Sequence, residues 1–537
     1  MDSPLSRRLE DAVLGLALLA VVGLFLWQEH LLAGGWGFPL DDTWIHLQFA
    51  RNLSTGQGFS FNPGEPISAS TAPLWTLVLA IVCLLPWDPV STAKVVGVLL
   101  LWANGLVTAR LARQLGLEGR WPLLAGLVVV AAPRLVWGSL SGMEISLYAL
   151  LATSGVLLHL DSYDQGPSWG AAALFGLASL ARPECVLLLP VALADRWRIG
   201  RRTGRLLRQC WLQLLVFAAI LLPWVLFSMA TLGRPLPNTF YAKVGPYGLL
   251  GAAANLDFVR VAKALLLYPV LQAQELGYFS LDHNLLLACL VPVGLLQMLR
   301  SRGDDRTSSW LIPLILLSYP VARGVLAPFK GAGFQHGRYA AHLVPLLTVS
   351  GLVGLRAAFQ VLTHGGEPAR ARWMSRWGTI GAWGLVLVNL LVLDLKQAQT
   401  YGWNVQNINA MQVATGRWLA ANTPAGATIA THDIGAIGYF SGRRVLDTSG
   451  LVTPQVLGYL TPGENADEGV LRFLQRERPG YLAILPTWYP WLSGRSDLFQ
   501  PIHEATLGHN TICAGDRLVV YRATWASSDA PSCQLTP

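Results

Sequence analysis

The sequence predicts a mainly α-helical, polytopic membrane protein with about 11 transmembrane spans, each needing ~20 apolar residues, and a C-terminal extracytoplasmic α/β domain. Three observations carry this. Of 537 residues, 53% are hydrophobic and only 13% are charged, against about 25% charged in ordinary soluble domains. The mean hydropathy is +0.43. The formal net charge of +8 is gathered in short arginine-rich loops between apolar runs, the pattern left by retention of basic loops on the cytoplasmic side.

Taken in order, Arg7 and Arg8 precede the first apolar run, 11–30. No small-residue cleavage site follows and further runs do, so a retained anchor is expected rather than a cleaved signal. Apolar runs at 121–137, 144–160, 168–182, 184–197, 209–231, 284–299, 309–327, 340–358 and 376–395 are span candidates. Region 73–112 holds a short and a long run, and 261–275 is a poor span because it contains Lys263 and Pro269. Basic loops at Arg110/Arg113/Arg120, Arg196–Arg208, Arg300/Arg302/Arg306 and Arg370/Arg372/Arg376 face the cytoplasm on this reading. An odd number of crossings then puts the N-terminus inside and the tail outside. The chain divides into a membrane part, 1–396, whose first outward loop is 31–72, and a soluble part, 397–537. In the latter a helix over 405–421 ends at Thr423-Pro424-Ala425-Gly426, and β-like runs follow at 428–430, 444–446, 481–484 and 517–521. Cys513 and Cys533 are expected to pair if this part is exported to an oxidising compartment. The basic balance is explained by the loops, and no groove-reading motif accompanies it, so nucleic acid is not a partner; the lipid bilayer is.

Unexplained polar clusters fall on the outward side. Asp41 and Asp42 stand adjacent, directly after the first span. Two like charges can raise one pKa, and a helix start favours a carboxylate, so the pair is a candidate for base catalysis. The plainer alternative is that Asp42 caps a helix beginning at Thr43. On that helix Ile45, Phe49 and Leu53 form an apolar stripe that would lie in the membrane interface. His46, four residues from Asp42, shares the acid's face as a hydrogen-bonding neighbour. The turn-rich stretch 56–65 folds back under the acids and offers Glu65. Lys243, Arg338 and Arg182 are outward cations suited to a phosphate, with lipid-headgroup contact the alternative for Arg182. Glu144, Asn238, Tyr241, His336 and Tyr339 complete the candidate substrate contacts, and Trp488-Tyr489-Pro490-Trp491 is either a carbohydrate-stacking platform or a membrane rim. No P-loop or dinucleotide-binding glycine loop is present.

These motifs resemble the GT-C superfamily of polytopic glycosyltransferases. The resemblance rests on Asp41-Asp42 in the first outward loop, Ala50-Arg51-Asn52-Leu53, Gly56-x-Gly58, Phe61-Asn62-Pro63-Gly64-Glu65, Ser141-Gly142-x-Glu144, Arg182-Pro183-Glu184, 237–243, Arg338-Tyr339 and 433–439. More narrowly, it points to the bacterial branch that includes the mycobacterial terminal arabinofuranosyltransferase. It implies inverting transfer of a sugar from a polyprenyl-phosphate donor to an extracytoplasmic glycan or lipid acceptor at a bacterial inner membrane. One of Asp41 and Asp42 would be the general base, and Lys243, Arg338 and Arg182 would receive the phosphate. No cofactor is assigned, and a divalent cation stays open, as do transfer to protein or lipid A and a role as a flippase of a lipid-linked saccharide.

Overall fold

The computed structural model describes residues 4–163, 166, 168–200, 206–244, 248–300, 309–326, 331–363, 368–460 and 465–525. Cys533 and the loop arginines 201, 202, 205, 302 and 306 lie outside the described residues, and so does the expected Cys513 pairing. Among those described, five helices are long and apolar enough to cross a membrane: Arg7–Ala33, Pro89–Gln114, Cys210–Leu232, Ala341–Leu362 and Trp377–Asn422. A sixth span results if Trp121–Val130 and Pro133–Leu140, bent by 49°, are taken together. Pro133 accounts for the bend, because proline drives the preceding residue out of the helical region and Ala132 is extended (φ −70°, ψ 115°). Apolar helices of 10–17 residues, among them Ile145–Asp161, Trp169–Ala181 and Leu311–Leu326, fill the bundle between the long ones. The chain is a multi-pass membrane protein.

Both runs in 73–112 are helical, a short Pro73–Leu84 and a long Pro89–Gln114 whose start is capped by the Asp88 carboxylate on the Ser91 amide at 2.8 Å. The poor span at 261–275 is helical throughout: a π-turn, Lys263–Leu267, leads into Tyr268–His283, with Pro269 at the second position of that helix. Helices Leu285–Arg300 and Val344–Thr363 pack backbone to backbone. A Cβ on Gly294 would lie 1.9 Å from the Ser350 carbonyl, and one on Gly354 would lie 2.1 Å from that of Leu290, the close approach small residues permit between helices in lipid.

The change of character expected near residue 397 is not a break in the chain. Helix Pro368–Ile408 runs through it and continues by a π-turn, Asn409–Val413, into Ala414–Asn422, ending before Pro424. A five-stranded sheet follows, in the order β2-β1-β3-β5-β4, with β1 Thr428–Thr431, β2 Arg444–Asp447, β3 Tyr481–Ile484, β4 Phe499–Thr506 and β5 Arg517–Ala523. The first three strands are parallel and the last two antiparallel. Four strands fall on the runs expected from the sequence. β4 was not legible because it is an exposed edge, with Gln500, Pro501 and Glu504 facing outward and a register shift at Pro501/His503. Helix Ala466–Glu477 packs on one face of the sheet against Ala430, Leu446, Leu482 and Val519, and Ile437 of helix Ile434–Ser441 packs on the other against Ile429, Ala483 and Val520. The parallel half is therefore doubly wound.

Candidate active site

The Asp41–Ser54 helix begins at Asp41 itself. Its N-cap is Leu40, extended at φ −141° and ψ 141° with no side-chain cap, so Asp42 does not serve as the cap. Successive residues on a helix point about 100° apart, and the two carboxylates go to different partners. Asp41 leaves the cavity: its Oδ2 accepts from the Gly435 amide at 2.8 Å and its Oδ1 from the Ala436 amide at 2.7 Å. It thus binds the N-terminus of helix Ile434–Ser441, where free amides and the helix dipole favour an anion. Only glycine fits at 435, since a Cβ there would meet the Asp41 carbonyl at 2.0 Å. Burial and the neighbouring Asp433 carboxylate push Asp41 up to about 8. Asp433 itself is engaged, its Oδ2 accepting from Gln412 at 2.9 Å.

Asp42 turns the other way and accepts from Arg338 Nη1 at 2.7 Å. Burial alone would raise its pKa, but the positive charges of Arg338 and Lys243 outweigh it and hold the carboxylate well below the usual range. The apolar stripe of this helix does not face lipid. Phe49 is buried against Phe59 and Phe61, with ring centroids at 5.1 and 5.8 Å, in a cluster that includes Ile434 and Val445 of the sheet unit. The turn-rich loop folds back as expected, clamped by Gln48 Nε2 on the Phe61 carbonyl at 2.9 Å and Asn52 Nδ2 on the same carbonyl at 2.8 Å.

A cavity of about 400 Å³ opens beside Asp42. Asp42, His46, Arg182, Lys243, Arg338 and Tyr339 line its polar side, and Leu221, Trp224, Val225 and Leu326 its apolar side. Behind the polar wall runs a ladder of charges. His46 Nε2 lies 3.5 Å from Glu144 Oε2, fully buried Glu144 accepts from Arg182 Nη1, Arg182 Nε donates to Glu184 at 3.1 Å, and Arg323 Nη1 donates to Glu184 at 3.2 Å. Tyr339 stands at the centre, with the guanidinium groups of Arg182, Arg323 and Arg338 at 4.4, 4.9 and 5.2 Å from its ring centroid. Burial opposes ionisation of its phenol, but Arg338, Lys243 and Arg182 bring it down to about 7. The loop carrying Arg338 is held by Tyr148, whose hydroxyl donates to the Arg338 carbonyl at 2.6 Å. Lys243, exposed on the short Asn238–Lys243 helix, makes no ion pair among the described residues. The cavity wall thus carries Arg182, Lys243, Arg323 and Arg338 against Asp42 and Glu184, a surplus of positive charge suited to an anion. Among the described residues no three of His, Cys, Asp and Glu converge in a way that could hold a metal ion.

Other expected contacts lie outside this cavity. Glu65 pairs with Arg444 at 2.8 Å on the surface. Asn238 is drawn to the sheet unit, donating to the carbonyls of Gly450 at 2.7 Å and Leu451 at 2.9 Å. Tyr241 lies under Arg234, 5.0 Å from the ring centroid. His336 stacks on Trp137 with centroids 4.5 Å apart and shares a 2.9 Å hydrogen bond with the Asn404 amide. Apart from Tyr241, whose partner is seven residues away, these side chains join elements that no local pattern connects. Arg323 and Glu184 are the functional candidates missed. Arg323 was signalled as a lone charge in the apolar run 309–327, and Glu184 by its place beside Arg182.

The chain is similar to several known proteins. Residues 403–526 match a family model described as a domain of unknown function (DUF8728). The terminal beta-(1->2)-arabinofuranosyltransferase of Mycobacterium tuberculosis is 29% identical over 412 residues, a match that spans 70% of this chain but only 62% of that relative's length. ArnT from Cupriavidus metallidurans bound to undecaprenyl phosphate superposes with a TM-score of 0.55 at 12% identity, covering 94% of this chain and 97% of ArnT. The archaeal oligosaccharyltransferase AglB from Archaeoglobus fulgidus, in complex with an inhibitory peptide and a dolichol-phosphate, superposes at 0.60 and 12% identity over 98% of this chain and 76% of AglB. The chain is thus similar to an arabinofuranosyltransferase over 70% of its length, and it shares the fold of ArnT and AglB over 94% and 98% of it.

Proposed function

We propose that the chain is a membrane glycosyltransferase that moves a sugar, arabinofuranose by the name of its curated relative, from a polyprenyl-phosphate donor to an extracytoplasmic glycan or lipid acceptor, with inversion. The observation that carries this reading is the cavity in which a carboxylate, Asp42, faces Arg338 and Lys243 while one side is wholly apolar. That combination suits a sugar phosphate on a greasy chain, and structures of the same fold hold undecaprenyl phosphate and dolichol-phosphate. The acceptor hydroxyl gives its proton to the Asp42 carboxylate, its oxygen bonds to the anomeric carbon from the opposite face, and the bond from that carbon to the phosphate oxygen breaks. The electron pair leaves with the polyprenyl phosphate, whose charge is met by Arg338, Lys243 and Arg182. The Arg338 pair keeps Asp42 ionised but weakly basic; a donor phosphate that draws Arg338 away would raise its basicity when needed. On this reading the arginine-rich loops stay on the cytoplasmic side and an odd number of crossings leaves the N-terminus in the cytoplasm and the sheet unit outside.

The test is transfer of labelled arabinofuranose from its polyprenyl phosphate by the purified protein in proteoliposomes; no transfer under any acceptor condition would refute the reading. Lys243→Ala removes a charged partner worth about 1.5–3 kcal/mol. Polyprenyl phosphate should then bind roughly tenfold to a hundredfold more weakly, with acceptor affinity little changed, and equal losses for both would take Lys243 out of the phosphate site.

Tyr339 adds a pH dependence. Below about 7 its phenol is neutral and the guanidinium groups are available to phosphate; above it the phenolate competes for them. Donor affinity should therefore fall as pH rises through neutrality, and Tyr339→Phe should flatten that profile. A wild-type-like profile in the variant would show that another group titrates.

A further inference from the structure

The order β2-β1-β3 has a consequence for the sheet unit. The chain leaves β1 toward β2 on one side and returns past β1 to β3 on the other, with the two connecting helices on opposite faces. The segment after β1 puts Ile437 on one face of the sheet and the segment after β3 puts Tyr489 and Leu492 on the other, and ligands of open α/β sheets bind in the crevice outside the carboxyl ends of such strands. The helix start that would ordinarily serve a ligand there is taken by Asp41. What remains in the crevice is aromatic. His432, immediately after β1, is buried, and neither ring nitrogen has a hydrogen-bond partner; Asp433 Oδ1 lies 3.9 Å from Nε2, beyond hydrogen-bond reach. Its ring is stacked on Trp488, which follows β3, at 5.0 Å and 28°. The indole is nonetheless 52% exposed, and Trp491 beside it is 39% exposed. A buried imidazole without partners is costly unless something supplies them.

From this arrangement we infer that the β1/β3 crevice is a saccharide subsite, in which a sugar ring of the acceptor stacks its C–H face on Trp488 and its hydroxyls meet His432; this rests on the glycosyltransferase reading above. The crevice and the catalytic cavity share one loop, 447–452. Asp447 at the end of β2 accepts from the amides of Ser449 at 2.8 Å and Val452 at 3.0 Å, and so shapes the loop whose Leu451 and Val452 form part of the cavity wall. The next residue of that loop, Thr448, is bonded to the Tyr489 hydroxyl at 3.0 Å. On the other flank, His432 and Asp433 lead directly into the amides that hold Asp41, the neighbour of Asp42. A glycan bound on Trp488 would thus extend toward the base, whereas a donor lipid enters from the apolar side of the cavity.

The experiment uses full-length protein in nanodiscs and a soluble arabinofuranose oligosaccharide, with binding read by calorimetry. Trp488→Ala should weaken binding about fivefold to tenfold, the worth of one aromatic stacking contact, and raise the acceptor KM without changing polyprenyl phosphate affinity. Trp488→Phe, which keeps a π-face, should restore most of it. Asp42→Asn should bind the oligosaccharide as the wild type does. An unchanged affinity in Trp488→Ala overturns the proposal, as does a loss confined to association with lipid vesicles, which would make the tryptophans a membrane rim. If the wild type transfers sugar but binds no oligosaccharide, the subsite fails and the enzyme assignment stands. If it binds the oligosaccharide through Trp488 but transfers nothing, the enzyme assignment fails and the saccharide site stands.

Discussion

Asp42→Asn is expected to lower the transfer rate by about 10²–10⁴-fold, the usual contribution of a positioned general base, while polyprenyl phosphate still binds. Asn keeps the size of the side chain and an acceptor toward Arg338, which now reaches Asp42 at 2.7 Å, so the loss should appear in kcat. The companion change separates the two acids. Asp41 is held by the Gly435 and Ala436 amides and does not line the cavity, so Asp41→Asn should act by loosening the sheet unit, with a lowered melting temperature accompanying any lost activity. If Asp41→Asn abolished transfer at unchanged stability while Asp42→Asn remained active, the roles given to the acids would be reversed.

Gly435→Ala is expected to have the largest effect on stability. The added methyl would stand 2.0 Å from the Asp41 carbonyl, a backbone atom that cannot move without displacing the whole Asp41–Ser54 helix. Overpacking of this kind costs on the order of 3 kcal/mol and would pull the two amides off the Asp41 carboxylate. Acceptor transfer should collapse, yet polyprenyl phosphate should still bind, because Arg182, Lys243 and Arg338 all belong to the helical part. Thermal unfolding followed by tryptophan fluorescence, alongside lipid binding, reads both. Wild-type stability and activity would show that the contact is slack in solution.

Much of the architecture was legible because its signals are local. Apolar runs marked where the helices lie but not where they end, the run 376–395 falling inside a helix that spans Pro368–Ile408, and short apolar runs forecast β1, β2, β3 and β5, since burial on both faces leaves a continuous hydrophobic stretch. β4 carries polar residues because it is an edge, and so it gave no such signal. Asp42, His46, Arg182, Lys243 and Arg338 stood out because charges beside apolar runs are costly, and the fold brings them to the wall of one cavity. Asn238, Glu65 and His336 stood out for the same reason, but their partners, Gly450, Arg444 and Trp137, lie far away in sequence.

The sequence by itself determined a multi-pass helical chain, a terminal sheet and a pair of acids at the head of the first loop, since composition and periodicity are properties of neighbouring residues. Only the tertiary structure decided which partner each acid meets. Two adjacent carboxylates on a helix point apart, and the partner each one meets is set by elements about 300 to 400 residues away, Arg338 for Asp42 and the Gly435 amide for Asp41. Charge in a protein takes its role from what it faces, and no local pattern encodes that.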